Sequence, residues 1–294
     1  MTPEPPEPPE LRDPPDLPDL PDLPELRERD ADPRTAAVYE EIRRLGGVPM
    51  VALVFRHLAT LPGGLDWAWG AIGPAWRTGR LQESAWRIAR ATPLVPIAPM
   101  PPEALAVLGL DEAGLAEVRT VLRAYNRANP ENLLSTLCLL RLVDGARASR
   151  AVEPRAWTPP VAPGSLPPMV EPASLSPPLA ALLRRVAEPG EAGRPRLVQS
   201  LYRHLAGRPQ VLALAIALLL QRFGDGSIDR GVATLQAAMG AEADAIVPTL
   251  SAPPAPHPDV RSALERFGGG VIARMVVVGA LLEDALPAGA AVDR

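Results

Sequence analysis

One short phrase occurs twice in the chain, and its repetition constrains the fold more than any other feature. The segment VFRHLATLP at 54–62 returns as LYRHLAGRP at 201–209, and the match extends without a gap over 55–81 and 202–228. Either the two histidines meet to perform chemistry, or the phrase marks equivalent positions of a duplicated fold.

A second repeated block favours duplication. VRTVLRAYNRANPENLLSTLCLL at 118–140 returns as VRSALERFGGGVIARMVVVGALL at 260–282, which places Tyr125 opposite Phe267. The two blocks keep their order and nearly their spacing. We therefore predict one repeat over 33–145 and a second over 173–287, joined by a proline-dense linker at 146–172 and followed by a tail at 288–294.

Apolar residues recur at spacings of three and four within each repeat, which is the helical period, and no alternating β pattern persists. The sequence therefore predicts an all-α fold of two pseudo-symmetric repeats packed face to face. The predicted helices cover 33–45, 50–60, 63–76, 80–91, 111–127, 131–144, 176–187, 195–206, 209–223, 227–238, 258–267 and 271–286.

Residues 1–32 form an acidic, proline-rich leader. An acid recurs at every third position from Glu4 to Glu28, with proline in most intervening places. Proline fixes its own backbone angle and keeps the preceding residue out of the helical region, so we expect polyproline II. We predict a disordered spacer that does not pack on the body; the alternative is a ligand for a basic or aromatic groove.

Composition excludes several classes of function. All 30 basic residues are arginine, which removes lysine Schiff bases and the phosphate-binding lysine of P-loops. Cys138 is the single cysteine and lies in an apolar run, so it predicts a core thiol. With three histidines in the chain we expect no metal site, and we expect no cofactor.

Charge and hydropathy exclude further partners. The chain carries a formal charge of −4: residues 1–33 hold eleven acids and three arginines, a net of −8, and the remainder carries +4. A body this close to neutral gives no case for nucleic acid. No run of eighteen apolar residues occurs, and the chain begins with an acidic stretch, so we expect no membrane span and a cytoplasmic location.

The segment AVYEEIRRLGGVPMVALVFRHLATLPGGLDWAWGAIGPAW, the later VLRAYNRANPENLL and the second LYRHLAGRP together resemble the DehI family of 2-haloacid dehalogenases, over about residues 35–286. The resemblance implies a duplicated all-α fold with an active site between its halves, and commonly a homodimer. It also implies that an aspartate of the second repeat activates a water, which displaces halide from C2 with inversion.

The resemblance places that aspartate between a serine and a tyrosine, where this chain has Ser200, Leu201 and Tyr202. Leucine can neither accept a proton nor orient a water. The same comparison makes Phe55, Ser200, Tyr202 and Asn129, with Asn126 as the alternative to Asn129, candidates for the substrate pocket. Asn129 precedes a proline, so a helix cap is an equally good interpretation of it.

Other residues could replace the missing base. Asp66 and Asp229 are the acids that we expect near the helices that wall the cleft, and His57 and His204 are further acid/base candidates. A histidine at the end of an apolar helical face more often hydrogen-bonds a carbonyl group, so the repeated phrase is mainly a mark of duplication.

Three functions remain open at this point. The first is hydrolytic dehalogenation of a short 2-halocarboxylic acid, with Leu201 replaced in its role by another group. The second is a different small-molecule activity on the same scaffold. The third is a non-catalytic protein that binds a small carboxylic acid or a partner.

Overall fold

The computed structural model describes residues 23–147, 155–186, 198–250 and 254–287. These residues form twelve α-helices and no strand, which confirms the all-α prediction. The helices are α1 (Pro33–Gly46), α2 (Leu53–Leu58), α3 (Gly64–Arg77), α4 (Arg80–Ala91), α5 (Pro102–Val107), α6 (Glu112–Val143), α7 (Pro177–Val186), α8 (Ser200–Leu205), α9 (Pro209–Gly224), α10 (Ser227–Ile246), α11 (Asp259–Gly268) and α12 (Val271–Ala285).

The helices recur in the same order in the two halves, as the predicted repeat requires. Helices α1 to α4 correspond to α7 to α10, and the long α6 corresponds to α11 and α12 together. Gly79 and Gly226, which the repeat aligns, both precede a helix with positive φ angles of 71° and 73°. A left-handed conformation is accessible to glycine without the steric cost that other residues incur, so both turns need it.

Helix α6 differs from the prediction of two helices at 111–127 and 131–144, because it continues through Pro130. A proline inside a helix removes one backbone hydrogen bond and usually kinks or ends it. Here Ala128, Glu131 and Asn132 are buried, and α6 packs against α4, α10, α11 and α12. Tertiary packing therefore offsets the local cost, and Asn129 lies inside the helix rather than at a cap.

The prediction that the leader stays clear of the body is wrong for residues 23–32. Residues 23–30, which we call the strap, lie against α1 and α2. Leu23 is buried, and the Tyr39 hydroxyl donates to the carbonyl of Leu26 at 3.0 Å. The Val51 amide donates to the Glu28 carboxylate at 3.0 Å. Residues 1–22 of the predicted leader lie outside the described residues.

The linker also packs on the body, although residues 155–171 form neither helix nor strand. Trp157 packs against Trp86 with ring centroids 6.1 Å apart and the ring planes tilted by 39°, and Arg155 donates to Glu83 at 2.8 Å. At its far end the Val170 amide donates to the Arg203 carbonyl at 3.2 Å, just as the Leu26 amide of the strap donates to the Arg56 carbonyl at 3.0 Å. In both halves, a segment that precedes the predicted repeat is therefore hydrogen-bonded to the arginine of its helix, α2 or α8.

No single helix of the described residues is long and apolar enough to cross a membrane. Helices α9 and α10 reach that length and composition only together, and they are bent by 79° at their junction.

Candidate functional site

A cavity of about 90 Å³ lies between the two repeats, with room for several water molecules or a small organic ligand. We call it the central cavity. Both copies of the aromatic-Arg-His helix, α2 and α8, contribute to its lining, as the repeat predicts. The lining residues are Met50, Val51, Ala52, Leu53, Val54, Arg56, Tyr125, Ala128, Asn129, Asn132, Met169, Gln199, Ser200, Leu201, His204, Phe267, Val271, Ile272 and Met275.

The cavity has one mostly apolar side and one mostly polar side. Helix α2 packs against α11, and this side, which we call the apolar wall, presents mainly aliphatic side chains together with Phe267. Helix α6 packs against α8, and this side, the polar wall, carries the cavity's amides, its hydroxyls and its one histidine. Equivalent positions therefore differ in polarity: Asn129 aligns with Val271, which is also at the cavity.

Leu201 lines the cavity on α8 and is 1% exposed. Its equivalent in the first repeat, Val54, lines the cavity on α2 and is equally apolar. None of the described residues at the cavity is an aspartate or a glutamate. The structure therefore places an aliphatic side chain, without a neighbouring carboxylate in the lining, where the resemblance expects the water-activating base.

Phe55 and Tyr202 were predicted to line the pocket, but both point away from it. Phe55 packs edge-on against Trp69 and Trp76 with centroids 6.3 and 6.1 Å away. Tyr202 is fully buried in the second repeat, and this burial raises the pKa of its hydroxyl. Ser200, Leu201 and His204 occupy the face of α8 at the cavity, whereas Tyr202 lies on the face that packs into its own repeat.

The two repeated histidines differ in their surroundings. His204 lines the cavity, and its Nδ1 lies 2.9 Å from the Tyr125 hydroxyl and 3.2 Å from the Ser200 carbonyl. Burial lowers the pKa of His204. His57 lies instead beside the strap, with Nδ1 2.7 Å from the Pro24 carbonyl, and is not part of the lining.

Two amide side chains of the polar wall have buried polar atoms without a protein partner. Asn129 lines the cavity, as the resemblance predicts, and its amide nitrogen has no hydrogen-bond partner among the described residues. Gln199 is 4% exposed, and both ends of its amide are unpartnered within the same part of the chain. Buried polar groups are ordinarily paired, so these two mark the wall as a binding surface.

Arg56 is the one arginine among the described lining residues. Its Nε lies 2.6 Å from the Glu25 carboxylate of the strap, and its Nη1 donates to the Val51 carbonyl at 3.0 Å. The equivalent Arg203 donates through Nε to the Val170 carbonyl at 3.0 Å and through Nη2 to Glu171 at 2.7 Å. The strap therefore holds a positive charge at the cavity.

The prediction that Asp66 and Asp229 lie near the cleft is wrong. Asp66 pairs with Arg34 at 3.1 Å, and Asp229 pairs with Arg274 at 3.1 Å. Their side chains are 45% and 61% exposed, and neither lines the cavity. Both stand in the first turn of a helix, where acidic residues interact favourably with the helix dipole.

Sequence reasoning missed Gln199, Arg56 and Tyr125 as members of the site. Arg56 belongs to the repeated phrase and Tyr125 aligns with Phe267, so the sequence offered a reason to consider both, whereas it offered none for Gln199.

In the described part of the chain no three histidine, cysteine or acidic side chains cluster to hold a metal ion. Cys138 is buried as predicted, and burial raises the pKa of its thiol.

No protein-family model matches the chain. A curated relative, the configuration-inverting 2-haloacid dehalogenase of Alcaligenes xylosoxydans xylosoxydans, is 36% identical over an alignment of 169 positions, which covers 54% of this chain and 56% of that protein. The matched region therefore spans little more than half the length of that relative.

Solved structures of D-2-haloacid dehalogenases match most of the fold. One complex with L-LA has a TM-score of 0.65 at 18% identity, and a mutant in complex with D-2-CPA has a TM-score of 0.63 at 19% identity. Each match covers 90% of this chain and 94% of the other. The chain thus has the all-α fold of these enzymes, and its predicted resemblance to the 2-haloacid dehalogenases of the DehI type is confirmed.

Proposed function

We propose that this dehalogenase-like protein binds a short carboxylic acid in the central cavity and does not hydrolyse it efficiently through a carboxylate-activated water. The observation that carries the proposal is Leu201, which occupies the position of the expected base in a lining that has no carboxylate among the described residues. Loss of a general base typically slows such a reaction by two to four orders of magnitude.

The two walls suit a ligand with one polar end and one apolar end. The aliphatic part of the apolar wall can bury a short alkyl group, while the amides of Asn129 and Gln199 on the polar wall offer donors for a carboxylate. Arg56, on α2 of the apolar wall, adds a guanidinium. Because Glu25 already pairs with Arg56, a bound carboxylate would share that charge. We expect binding that depends on several hydrogen bonds rather than on one strong ion pair.

A second candidate function is dehalogenation with His204 as the base. Burial lowers the pKa of this residue, so that its imidazole is neutral at pH 7 and can accept a proton. The Ser200 carbonyl only accepts hydrogen bonds, so a proton on Nδ1 satisfies that contact and leaves the lone pair on Nε2. His204→Gln would then abolish halide release.

Calorimetric titration with propionate and with both enantiomers of 2-chloropropionate tests the proposal. We expect saturable binding of these acids and halide release at the level of a protein-free control. Absence of binding would refute the proposed ligand class, and halide release that is lost in His204→Gln would establish the second candidate. A cytoplasmic location and a homodimer remain predictions from the sequence and the resemblance.

A further inference from the structure

The guanidinium of Arg56, which lines the central cavity, already has a carboxylate partner from the strap. Its Nε lies 2.6 Å from Oε2 of Glu25, and the two side chains are only 13% and 14% exposed. An ion pair that is shielded from water to this extent is screened little by salt, so it competes effectively with an acid that enters the cavity. Glu25 thus takes the charge that the carboxylate of a ligand would otherwise use.

The ion pair between Glu25 and Arg56 is poorly aligned. Although the two atoms are close, neither Nε of Arg56 nor Oε2 of Glu25 makes a directed hydrogen bond with any of the described residues. A short separation without alignment gives Coulomb attraction, but it does not give the full strength of a charge-assisted hydrogen bond. A ligand that offers a better-aligned oxygen to Arg56 can therefore replace Glu25.

The equivalent ion pair of the second repeat shows the geometry of a purely structural contact. Arg203 donates to Glu171 at 2.7 Å, with the alignment of a hydrogen bond, and its Nε donates to the Val170 carbonyl. Arg203 is not part of the cavity lining, whereas Arg56 is. The well-aligned pair thus lies away from the cavity and the poorly aligned pair lies at it, as expected if Arg56 also serves a ligand.

A displaced Glu25 carboxylate has a second cation within reach. Arg27 of the strap lies 3.9 Å from Oε1 of Glu25 and its side chain is 42% exposed, so it can hold the carboxylate on the solvent side. The strap does not have to detach, because the Leu26 amide donates to the Arg56 carbonyl and the Leu26 carbonyl accepts from Tyr39, both independently of the Glu25 side chain. Movement of one side chain therefore suffices to free the guanidinium.

We propose that Glu25 is autoinhibitory: its carboxylate occupies Arg56 in the ligand-free protein, and a carboxylic acid displaces it towards Arg27 in order to bind. The inference rests on the proposed function, since it describes how binding of the same class of acid in the same cavity is regulated. Removal of the Glu25 charge should therefore strengthen the binding of an acid, although it removes a contact from the folded protein.

The test is calorimetric titration of the full chain and of Glu25→Gln with propionate and with propionamide, its uncharged analogue. We expect Glu25→Gln to bind propionate about tenfold more tightly than the wild type does, which is the factor typical of a hydrogen bond to a charged group. The affinity for propionamide should be the same in both proteins, because an uncharged ligand does not compete with Glu25 for Arg56. The matched control is Glu171→Gln, whose partner Arg203 lies outside the lining, and it should bind propionate as the wild type does.

The outcomes separate this inference from the proposed function. If the wild type binds propionate and Glu25→Gln binds it no more tightly, or gains equally for propionamide, only the inference is wrong. If Glu25→Gln alone binds propionate, the inference holds and the proposed function fails for the wild type. If neither protein binds it, both are wrong. Should Glu25→Gln not fold, Glu25→Asp, whose carboxylate is one methylene further from Arg56, must bind propionate more tightly than the wild type, and an unchanged affinity would overturn the inference.

Discussion

The hydroxyl of Tyr125 lies 2.9 Å from Nδ1 of His204, and this contact joins the two repeats beside the central cavity. The opposite contact pairs His57 with Phe267, which has no hydroxyl, at a centroid distance of 6.1 Å. The repeat aligns both partners, so each histidine packs on the aromatic ring of the other half. The two contacts are thus equivalent under the predicted repeat, and only the one between Tyr125 and His204 is polar.

The Tyr125 contact should contribute measurably to stability. We expect Tyr125→Phe to lower the free energy of unfolding by about 0.5–1.5 kcal/mol, because the partly buried His204 loses one hydrogen-bond partner. Phe267→Tyr is the matched control, since Nδ1 of His57 is already bound to the Pro24 carbonyl and no comparable gain is expected. Urea denaturation measures the free energy of unfolding of both variants. A Tyr125→Phe variant as stable as the wild type would contradict the hydrogen bond between Tyr125 and His204.

The free energy of unfolding should depend on pH through His204. Burial lowers the pKa of this histidine in the folded state, whereas its unfolded value is about 6.5. Below about pH 6.5 the unfolded chain therefore binds more protons than the folded protein does. The free energy of unfolding is highest above that pH and decreases as the pH falls through it. We expect the free energy of unfolding of His204→Gln to fall less than that of the wild type between about pH 7 and pH 5. If the two proteins lose the same free energy over this range in urea denaturation, His204 is not a buried neutral histidine.

The strap should be part of the folded body. A chain that begins at residue 31 lacks the contacts of Leu23, Glu25, Leu26 and Glu28, whereas a chain that begins at residue 22 retains them. We expect the shorter chain to be less stable than the longer one by on the order of 2–4 kcal/mol, because Tyr39 and Arg56 lose partners. Equal stabilities in urea denaturation would show that the strap contributes nothing.

Removing the unpartnered amide of Gln199 should stabilise the ligand-free protein. We expect Gln199→Leu to raise the free energy of unfolding by about 1 kcal/mol, since a buried polar group without partners is replaced by an apolar one. Gln82→Leu is the contrasting variant, because Gln82 is buried with a hydrogen bond to the Trp76 carbonyl, and it should be destabilised. A destabilised Gln199→Leu would mean that Gln199 has a structural role.

Several helices of the predicted repeat were placed closely, but α5 was not predicted and α10 continues to Ile246 instead of ending at 238. Where both copies share a pattern, as in α3 and α9, the expected and observed bounds agree within two residues. The continuity of α6 through Pro130 could not be predicted, because local propensity favours a break and only packing against distant helices offsets it. The packing of the strap could not be predicted either, because it depends on contacts with α1 and α2 that local sequence does not indicate.

The candidate site was predictable only in part. Leu201, Ser200, Asn129 and His204 do line the cavity, because a motif fixes positions along the chain. A motif does not fix which direction a neighbouring side chain takes, so Phe55 and Tyr202 were misplaced. The unpaired state of Gln199 depends on the packing of residues from both repeats, and a single sequence carries no signal for it.

The central claim is that Leu201 removes the base on which hydrolysis would depend. The measurement is halide release from both enantiomers of 2-chloropropionate by the wild type, by Leu201→Asp and by Val54→Asp, which places a carboxylate at the equivalent position of the apolar wall. The assay is run at pH 9, because the apolar surroundings would raise the pKa of a new aspartate. We predict background release by the wild type and by Val54→Asp, with a measurable gain for Leu201→Asp. Robust turnover by the wild type would contradict the account.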